Sequence, residues 1–116
     1  MNPKNEDNIF ITHIYEEILL LEDICRTHTT DEIIDNRILR YCVQKSLEII
    51  GEAANKISDE TKNTYPDIAW RDIIGMRNKL THGYFGIDWN IVCSVLTNDI
   101  PALKTQIESI KKEGKN

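Results

Sequence analysis

Residues 29–57 read TTDEIIDNRILRYCVQKSLEIIGEAANKI, and the spacing of their apolar residues indicates the fold class. Thr29 and Glu32 stand in capping-box relation, which predicts a helix start. From there one long helix is predicted to about Ile57. Its apolar stripe comprises Ile34, Ile38, Tyr41, Cys42, Ile49, Ala53 and Ile57, and it is widened by Leu39, Val43, Leu47, Ile50 and Ala54. We expect a helix that is apolar over so wide an arc to be contacted on two sides.

Three further helices are predicted around this one. The first is predicted because apolar residues recur at helical spacing, and it ends near Thr27. These residues are Ile9, Phe10, Ile14, Ile18, Leu21 and Cys25. A short turn capped by Ser58 and ended by Pro66 leads to a helix over roughly 68–81. Asp67 is predicted to cap that helix, and Gly83 and Gly86 are predicted to terminate it.

The last predicted helix follows Asp88, and Pro101 is expected to kink or split it because proline removes a backbone donor. No strand-like alternation is present. The sequence therefore predicts an all-α fold, an up-and-down bundle of four main helices plus a short connecting turn. Its 116 residues are expected to form one domain, residues 1–116, with 1–7 and 112–116 frayed.

The net charge of −5 is unevenly distributed along the chain. Residues 1–64 carry 7 basic and 13 acidic groups, whereas residues 65–116 carry 7 and 6. An acidic chain is a poor candidate for a general nucleic-acid coat protein, whose affinity comes from many Lys and Arg contacts to phosphate. A local anion site in the second half remains compatible with this charge.

The sequence indicates a cytoplasmic protein. The polar N-terminus shows no signal-peptide pattern, and no apolar run is long enough to span a membrane. Three cysteines without a CxxC pair, Cys25, Cys42 and Cys93, are predicted to be buried reduced thiols.

Residues 70–85, WRDIIGMRNKLTHGYF, carry the candidate chemistry. Arg77 offers a planar fork to phosphate, His82 can transfer a proton near neutral pH, and the Tyr84 hydroxyl can bond or be modified by a phosphate. Five helical residues separate side chains by about 140°, so Arg77 and His82 converge only if the helix ends near Thr81. In the alternative interpretation Arg77 covers the core edge, His82 caps carbonyls and Tyr84 packs.

The spacing of Arg77, His82 and Tyr84 resembles the R-x4-H-x-Y signature of HEPN-domain ribonuclease toxins of the HepT type. The segments Gly51–Lys56, GEAANK, and Tyr65–Arg71, YPDIAWR, also resemble this family, and the likeness spans roughly residues 8–110. The resemblance implies a HEPN-like helical fold that works as a homodimer, with two such motifs in one cleft.

The resemblance also implies a role for each motif residue. His82 would act as general acid or base in metal-independent RNA cleavage, and Arg77 would hold the scissile phosphate. Asn78 would orient either group. Tyr84 matches the residue that a nucleotidyltransferase antitoxin, of the MNT type, adenylylates in related type VII-like toxin–antitoxin systems. AMP on Tyr84 would place bulk and negative charge where the substrate phosphate binds.

Other polar groups are weaker candidates. Glu48 and Glu52 lie one turn apart, and Glu52 is a candidate supporting residue near the cleft. The alternative is a solvated face that pairs with Lys45 and Lys56. His13 and His28 have no partner at metal-ligand spacing, so neither a metal nor a cofactor is expected.

Two other functions remain open at this stage. One is a catalytically silent helical module that dimerises and docks a nucleotidyltransferase, and the other is a nucleotide-sensing HEPN domain. An intact Arg77, His82 and Tyr84 favours the toxin over a scaffold, whereas the acidic pI of 5.1 favours the scaffold.

Overall fold

The computed structural model describes residues 5–82 and 86–114. The described chain is helical and contains no strand, which confirms the all-α, HEPN-like bundle. Its α-helices are α1 (Asn5–Thr27), α2 (Thr30–Asp35), α3 (Arg37–Lys56), α4 (Asp59–Thr64), α5 (Trp70–His82), α6 (Trp89–Ser94) and α7 (Ile100–Gly114), with a π-helical turn at Val95–Asp99 between the last two. None of these helices has the length and apolarity to cross a lipid bilayer.

Helix α3 lies at the centre of the bundle, with α1 packed on one side and α5 on another. Contact on two sides is therefore confirmed. The inner face of α1 is formed by residues three or four apart that are almost fully buried, namely Ile11, Ile14, Ile18 and Leu21. Burial of each such side chain contributes about 1.5–3 kcal/mol, so this face secures α1 to the rest of the bundle. Helix α7 closes the bundle against α1.

The single helix predicted over residues 29–57 is wrong, because the chain breaks at Asn36. The capping box at Thr29 and Glu32 does start a helix, as predicted, but that helix ends after six residues. Asn36 has extended backbone angles, and its Oδ1 accepts hydrogen bonds from the backbone N–H groups of Ile38 and Leu39. Because asparagine is a strong N-cap, it starts a second helix in a new direction.

The predicted apolar stripe of α3 is wrong in part for the same reason. The apolar residues of α3 that are buried in the core are Ala53, which the predicted stripe includes, and four residues predicted to widen it, Val43, Leu47, Ile50 and Ala54. In contrast, Ile38 is 73% exposed and Tyr41 is 58% exposed. Cys42 is also exposed and Cys25 is half-buried, so only Cys93 fits the prediction of buried thiols.

A buried carboxylate joins the start of α1 to the start of α4. Asp7 is only 3% exposed. It accepts hydrogen bonds from the Ser58 backbone N–H at 3.0 Å, the Ser58 hydroxyl at 2.6 Å and the Thr61 hydroxyl at 2.6 Å. Ser58 also caps α4, as predicted, by accepting from Thr61 N. Asp7 thus fixes α1 to the loop that leads into α4.

Helix α5 begins later than predicted. Its first residue is Trp70, and the carbonyl of Ala69 accepts the hydrogen bond from Ile73 N, so Asp67 is not the N-cap. The Trp70 indole N–H donates instead to the carbonyl of Tyr65 at 3.0 Å. The start of α5 is thereby set by the loop before it.

Tyr65 ties that loop to the end of α7. Its hydroxyl donates to Glu113 Oε2 at 2.6 Å. Burial, followed by this hydrogen bond, raises the pKa of Tyr65 to about 12. The phenol therefore stays neutral, and keeps its bond to Glu113, across the whole physiological pH range.

The last helix begins as predicted, with the Asp88 carboxylate accepting from Asn90 N and Ile91 N. It is then divided by the π-helical turn Val95–Asp99, which ends two residues before Pro101. Proline cannot donate to the preceding turn and its ring crowds the carbonyl there, so a wider turn relieves the clash. The predicted interruption at Pro101 is confirmed in this form.

Candidate functional site

The last two turns of α5 carry the Arg77, Asn78 and His82 positions. The side chains of these three residues, and Tyr84 as a whole, lie outside what the structure describes. The backbone of α5 is continuous through His82, one residue beyond the predicted end near Thr81. Positions 77 and 82 are therefore about 140° apart around the axis and about 7.5 Å apart along it. Convergence of the two side chains within one chain stays a prediction.

Packing against α3 fixes the direction of α5. Near its start, Ile73 lines the same cavity as Leu47 and Ile50 of α3. Near its end, Leu80 is buried, and Gln44 Nε2 donates to the Leu80 carbonyl at 3.3 Å. The two helices therefore run antiparallel, and the motif end of α5 lies beside the first turns of α3. Gln44 thus links the C-terminal part of α5 to α3.

A groove of about 970 Å³ lies between α5 and α6, beside the same helix end. Its apolar wall includes Met76, Leu80, Ile91, Val92 and Val95. Among the side chains that the structure describes, the rim carries three exposed carboxylates, those of Asp72, Asp88 and Asp99, and the cation Arg71. None of these four residues forms an ion pair within the part of the chain that the structure describes. These three carboxylates repel a polyanion that approaches the described part of the rim.

A second cavity of about 270 Å³ continues the groove toward α3. It shares Asp72, Met76, Val95 and Asp99 with the first, and a further carboxylate, Asp67, stands at its edge. The acidic character therefore extends along the α5–α6 side of the molecule.

Glu52 lies on the C-terminal half of α3, where it is exposed and pairs with Lys56 at 3.6 Å. It is eight residues, or about 12 Å along the helix, from Gln44, which marks the motif end of α5. The described contacts thus place Glu52 with Lys56, as in the solvated-face alternative, and do not bring it to that end.

The remaining histidines of the sequence analysis lie on or at the end of α1. His13 packs edge-on against Phe10, with ring centroids 6.3 Å apart, and His28 Nδ1 lies 3.3 Å from the Ile24 carbonyl. Within residues 5–82 and 86–114, no three His, Cys, Asp or Glu side chains are grouped so that they could hold a metal ion.

Comparison with known proteins adds a family to this geometry. A family model described as Ribonuclease HepT-like matches residues 14–110. A relative from Thermococcus cleftensis named "Probable ribonuclease HepT" is 34% identical over 109 residues, covering 94% of this chain and 99% of its own. Two relatives from Methanocaldococcus jannaschii, "Putative RNase MJ1216" and "Putative RNase MJ1380", are 35% and 32% identical, covering 98% and 92% of this chain and 96% and 98% of their own. No solved structure matches.

Proposed function

Because the chain belongs to the HepT-like ribonuclease family, we propose that it is an RNA-cleaving toxin whose catalytic residues are Arg77 and His82. The observation that carries this proposal is that the family match, residues 14–110, includes the whole of α5 and of the R-x4-H-x-Y motif. The experiment that tests it compares RNA cleavage by the parent protein with cleavage by His82→Ala and Arg77→Ala.

The proposed reaction needs no metal. A 2′-hydroxyl of the RNA loses its proton to a base and its oxygen attacks the adjacent phosphorus. The bond to the 5′-oxygen then breaks, and that oxygen receives a proton from an acid. His82 supplies proton transfer, which contributes about 10² to 10⁴-fold to such rates. Arg77 stabilises the negative charge that builds on the phosphoryl oxygens, and Asn78 orients either group.

We propose that the active state is a homodimer. On a continuous helix, positions 77 and 82 are about 140° apart, and one chain supplies only one motif histidine, whereas the reaction needs both a base and an acid. A two-fold dimer supplies a second motif to the same cleft.

The dimer is therefore expected to be required for cleavage. On dilution, activity per subunit should fall in parallel with the dimer fraction measured by sedimentation, because the half-site alone lacks one proton-transfer group. A tandem fusion of two copies, which cannot dissociate, should keep its activity at the same dilution. A monomeric species that cleaves RNA at the dimer's rate per subunit would contradict the prediction.

Regulation is proposed to act at Tyr84 through a nucleotidyltransferase antitoxin. Co-expression with such an enzyme is expected to add one or more AMP units to the peptide that contains Tyr84, and to abolish cleavage because the added phosphate competes with substrate. Mass spectrometry of the purified protein measures the modification, and Tyr84→Phe is the matched control. Complete inhibition without any mass change on Tyr84 would refute this mechanism.

A second candidate function is a catalytically silent module that docks a nucleotidyltransferase. The observation that favours it is the acidic, apolar-walled groove between α5 and α6, which suits a protein segment better than RNA. Retention of RNA cleavage by the purified parent protein, and its loss in His82→Ala, distinguishes the toxin from this module.

A further inference from the structure

An arginine and a tyrosine form an exposed pair on the first turns of α3. The Arg37 guanidinium lies 5.4 Å from the centre of the Tyr41 ring, and its Nη2 donates to the Tyr41 hydroxyl at 3.3 Å. Tyr41 is 58% exposed, so a planar group can still stack on its ring. Arg37 is exposed and in no ion pair within the described residues, so its charge can meet an anion. Arg40 is half-buried, and its Nη1 donates to the Ile34 carbonyl.

This pair lies on the face of α3 that points toward the end of α5. On a helix of 3.6 residues per turn, positions 37, 40 and 41 fall within about 60° of position 44. Gln44 contacts the Leu80 carbonyl, and the antiparallel packing sends the following residues of α5 toward the start of α3. Tyr41 therefore lies within about one helical turn of the level at which α5 reaches His82.

The stability of α3 does not explain why Arg37 and Arg40 stand at its start. The first turn of α3 carries no acidic residue, and Arg37 is its first residue. A helix N-terminus is the positive end of the helix dipole, where a cation is disfavoured. The hydrogen bond and the charge of Arg37, with the charge of Arg40, lower the pKa of Tyr41.

The other surface beside the motif has the opposite character. The groove between α5 and α6 is rimmed by Asp72, Asp88 and Asp99, whereas the α3 surface presents Arg37 and Arg40. The described carboxylates on the first side repel an RNA strand that reaches the end of α5, whereas Arg37 and Arg40 on the second side attract it.

We propose that Arg37 and Tyr41 form a nucleotide-binding subsite for single-stranded RNA, in which Tyr41 stacks on a base and Arg37 contacts a phosphate next to the scissile linkage. Aromatic rings bind unpaired bases of any sequence by stacking, and arginine binds phosphate through two parallel N–H groups. This subsite rests on the proposed function for its substrate, but it concerns binding and does not require cleavage. Both residues are positioning residues for the reaction.

The test measures binding of a fluorescein-labelled 12-nucleotide single-stranded RNA by anisotropy, with every variant made in a His82→Ala background so that the RNA stays intact. Tyr41→Ala is expected to weaken binding about fivefold or more through lost stacking. Arg37→Ala is expected to weaken binding and to reduce the slope of log affinity against log salt by about one, since one phosphate contact is lost. Tyr41→Phe keeps the ring and should bind within about twofold of the parent.

Matched controls lie close by or carry the same chemistry. Ile38→Ala removes a more exposed side chain from the same turn, and Arg26→Ala removes an exposed arginine from α1. Both should bind RNA like the parent. In the His82-intact protein, Tyr41→Ala should raise KM and leave kcat nearly unchanged, because stacking is equal in ground and transition states.

The outcomes separate this subsite from the catalytic proposal. Loss of binding in Tyr41→Ala and Arg37→Ala, in a protein whose parent cuts no RNA, would support the subsite and defeat the ribonuclease assignment. Parent-like affinity and salt slope in both variants would overturn the subsite, whatever the cleavage rate. An Arg26→Ala variant that binds as weakly as Arg37→Ala would also overturn it, since only net charge would then matter.

Discussion

Cleavage of RNA by His82→Ala is expected to fall about 10² to 10⁴-fold, because proton transfer to or from the reacting oxygens is lost. The cleavage rate of Arg77→Ala is expected to fall about 10² to 10³-fold, because charge that develops on the phosphate is no longer stabilised. Both losses should appear mainly in kcat, since the interactions are strongest in the transition state. Initial rates on a defined single-stranded RNA measure them.

The chain offers a matched control for each substitution. Arg71→Ala removes an exposed arginine from the first turn of the same helix, and His13→Ala removes an exposed histidine from α1. If the loss of cleavage is specific to the motif, neither control should change the cleavage rate more than about twofold, because substitutions of exposed residues elsewhere usually have small effects. Growth arrest on expression should follow the same order. Toxicity that persists unchanged in both motif variants would defeat the catalytic assignment.

Asp7→Ala is expected to destabilise the protein by about 2–4 kcal/mol, out of about 5–15 kcal/mol for a domain of this size. The substitution leaves a backbone N–H and two hydroxyl groups without their carboxylate acceptor at a buried site. It also releases the start of α1 from α4. Urea denaturation followed by circular dichroism measures the change in the free energy of unfolding.

Glu16→Ala is the matched control for this prediction, because Glu16 is an exposed carboxylate on the same helix. Its free energy of unfolding should stay within about 0.5 kcal/mol of the parent. Thr61→Val keeps the shape of the side chain and removes one hydroxyl donor. Its free energy of unfolding should lie between those of Asp7→Ala and Glu16→Ala. If Asp7→Ala were as stable as Glu16→Ala, the carboxylate would not be fixing α1 in place.

Local signals were the most reliable guide from sequence to fold. The helix starts at Thr29, after Ser58 and after Asp88 are each set by a side chain that bonds the next few backbone N–H groups, so a few residues suffice to predict them. The interruption ahead of Pro101 follows equally from one residue. Where tertiary packing decides, as at the start of α5 with Trp70 and Tyr65, the local prediction from Asp67 failed.

The break at Asn36 explains why the predicted apolar stripe of α3 is wrong in part. Apolar residues continue across it at helical spacing, so periodicity alone predicts one helix and places Ile38 and Tyr41 with the core. The sequence signal for this break is Asn36 itself, because asparagine is a strong N-cap. The break also matters for the proposed RNA subsite. Tyr41 is a surface aromatic residue four positions after Arg37, and at that spacing the two side chains meet on a helix.

For the candidate site too, the sequence predicts the local features but not the contacts between distant residues. The sequence predicts a helix over roughly 68–81 that carries Arg77, and α5 carries position 77 and continues through His82. Convergence of the Arg77 and His82 side chains stays a prediction. No sequence pattern predicts that Gln44 holds that end against α3, or that aspartates from α5, α6 and the π-helical turn gather around one groove. Those contacts join residues far apart in the chain, and only the packing of the bundle brings them together.

The most direct measurement of the central claim is cleavage of one single-stranded RNA by the purified parent protein in EDTA, beside an oligonucleotide of the same sequence that lacks every 2′-hydroxyl. We expect the RNA to be cut without added metal and the products to end in 2′,3′-cyclic phosphate and 5′-hydroxyl. The deoxy oligonucleotide should stay intact. Equal cutting of both oligonucleotides, or cutting of RNA at the same rate by His82→Ala, would contradict the claim.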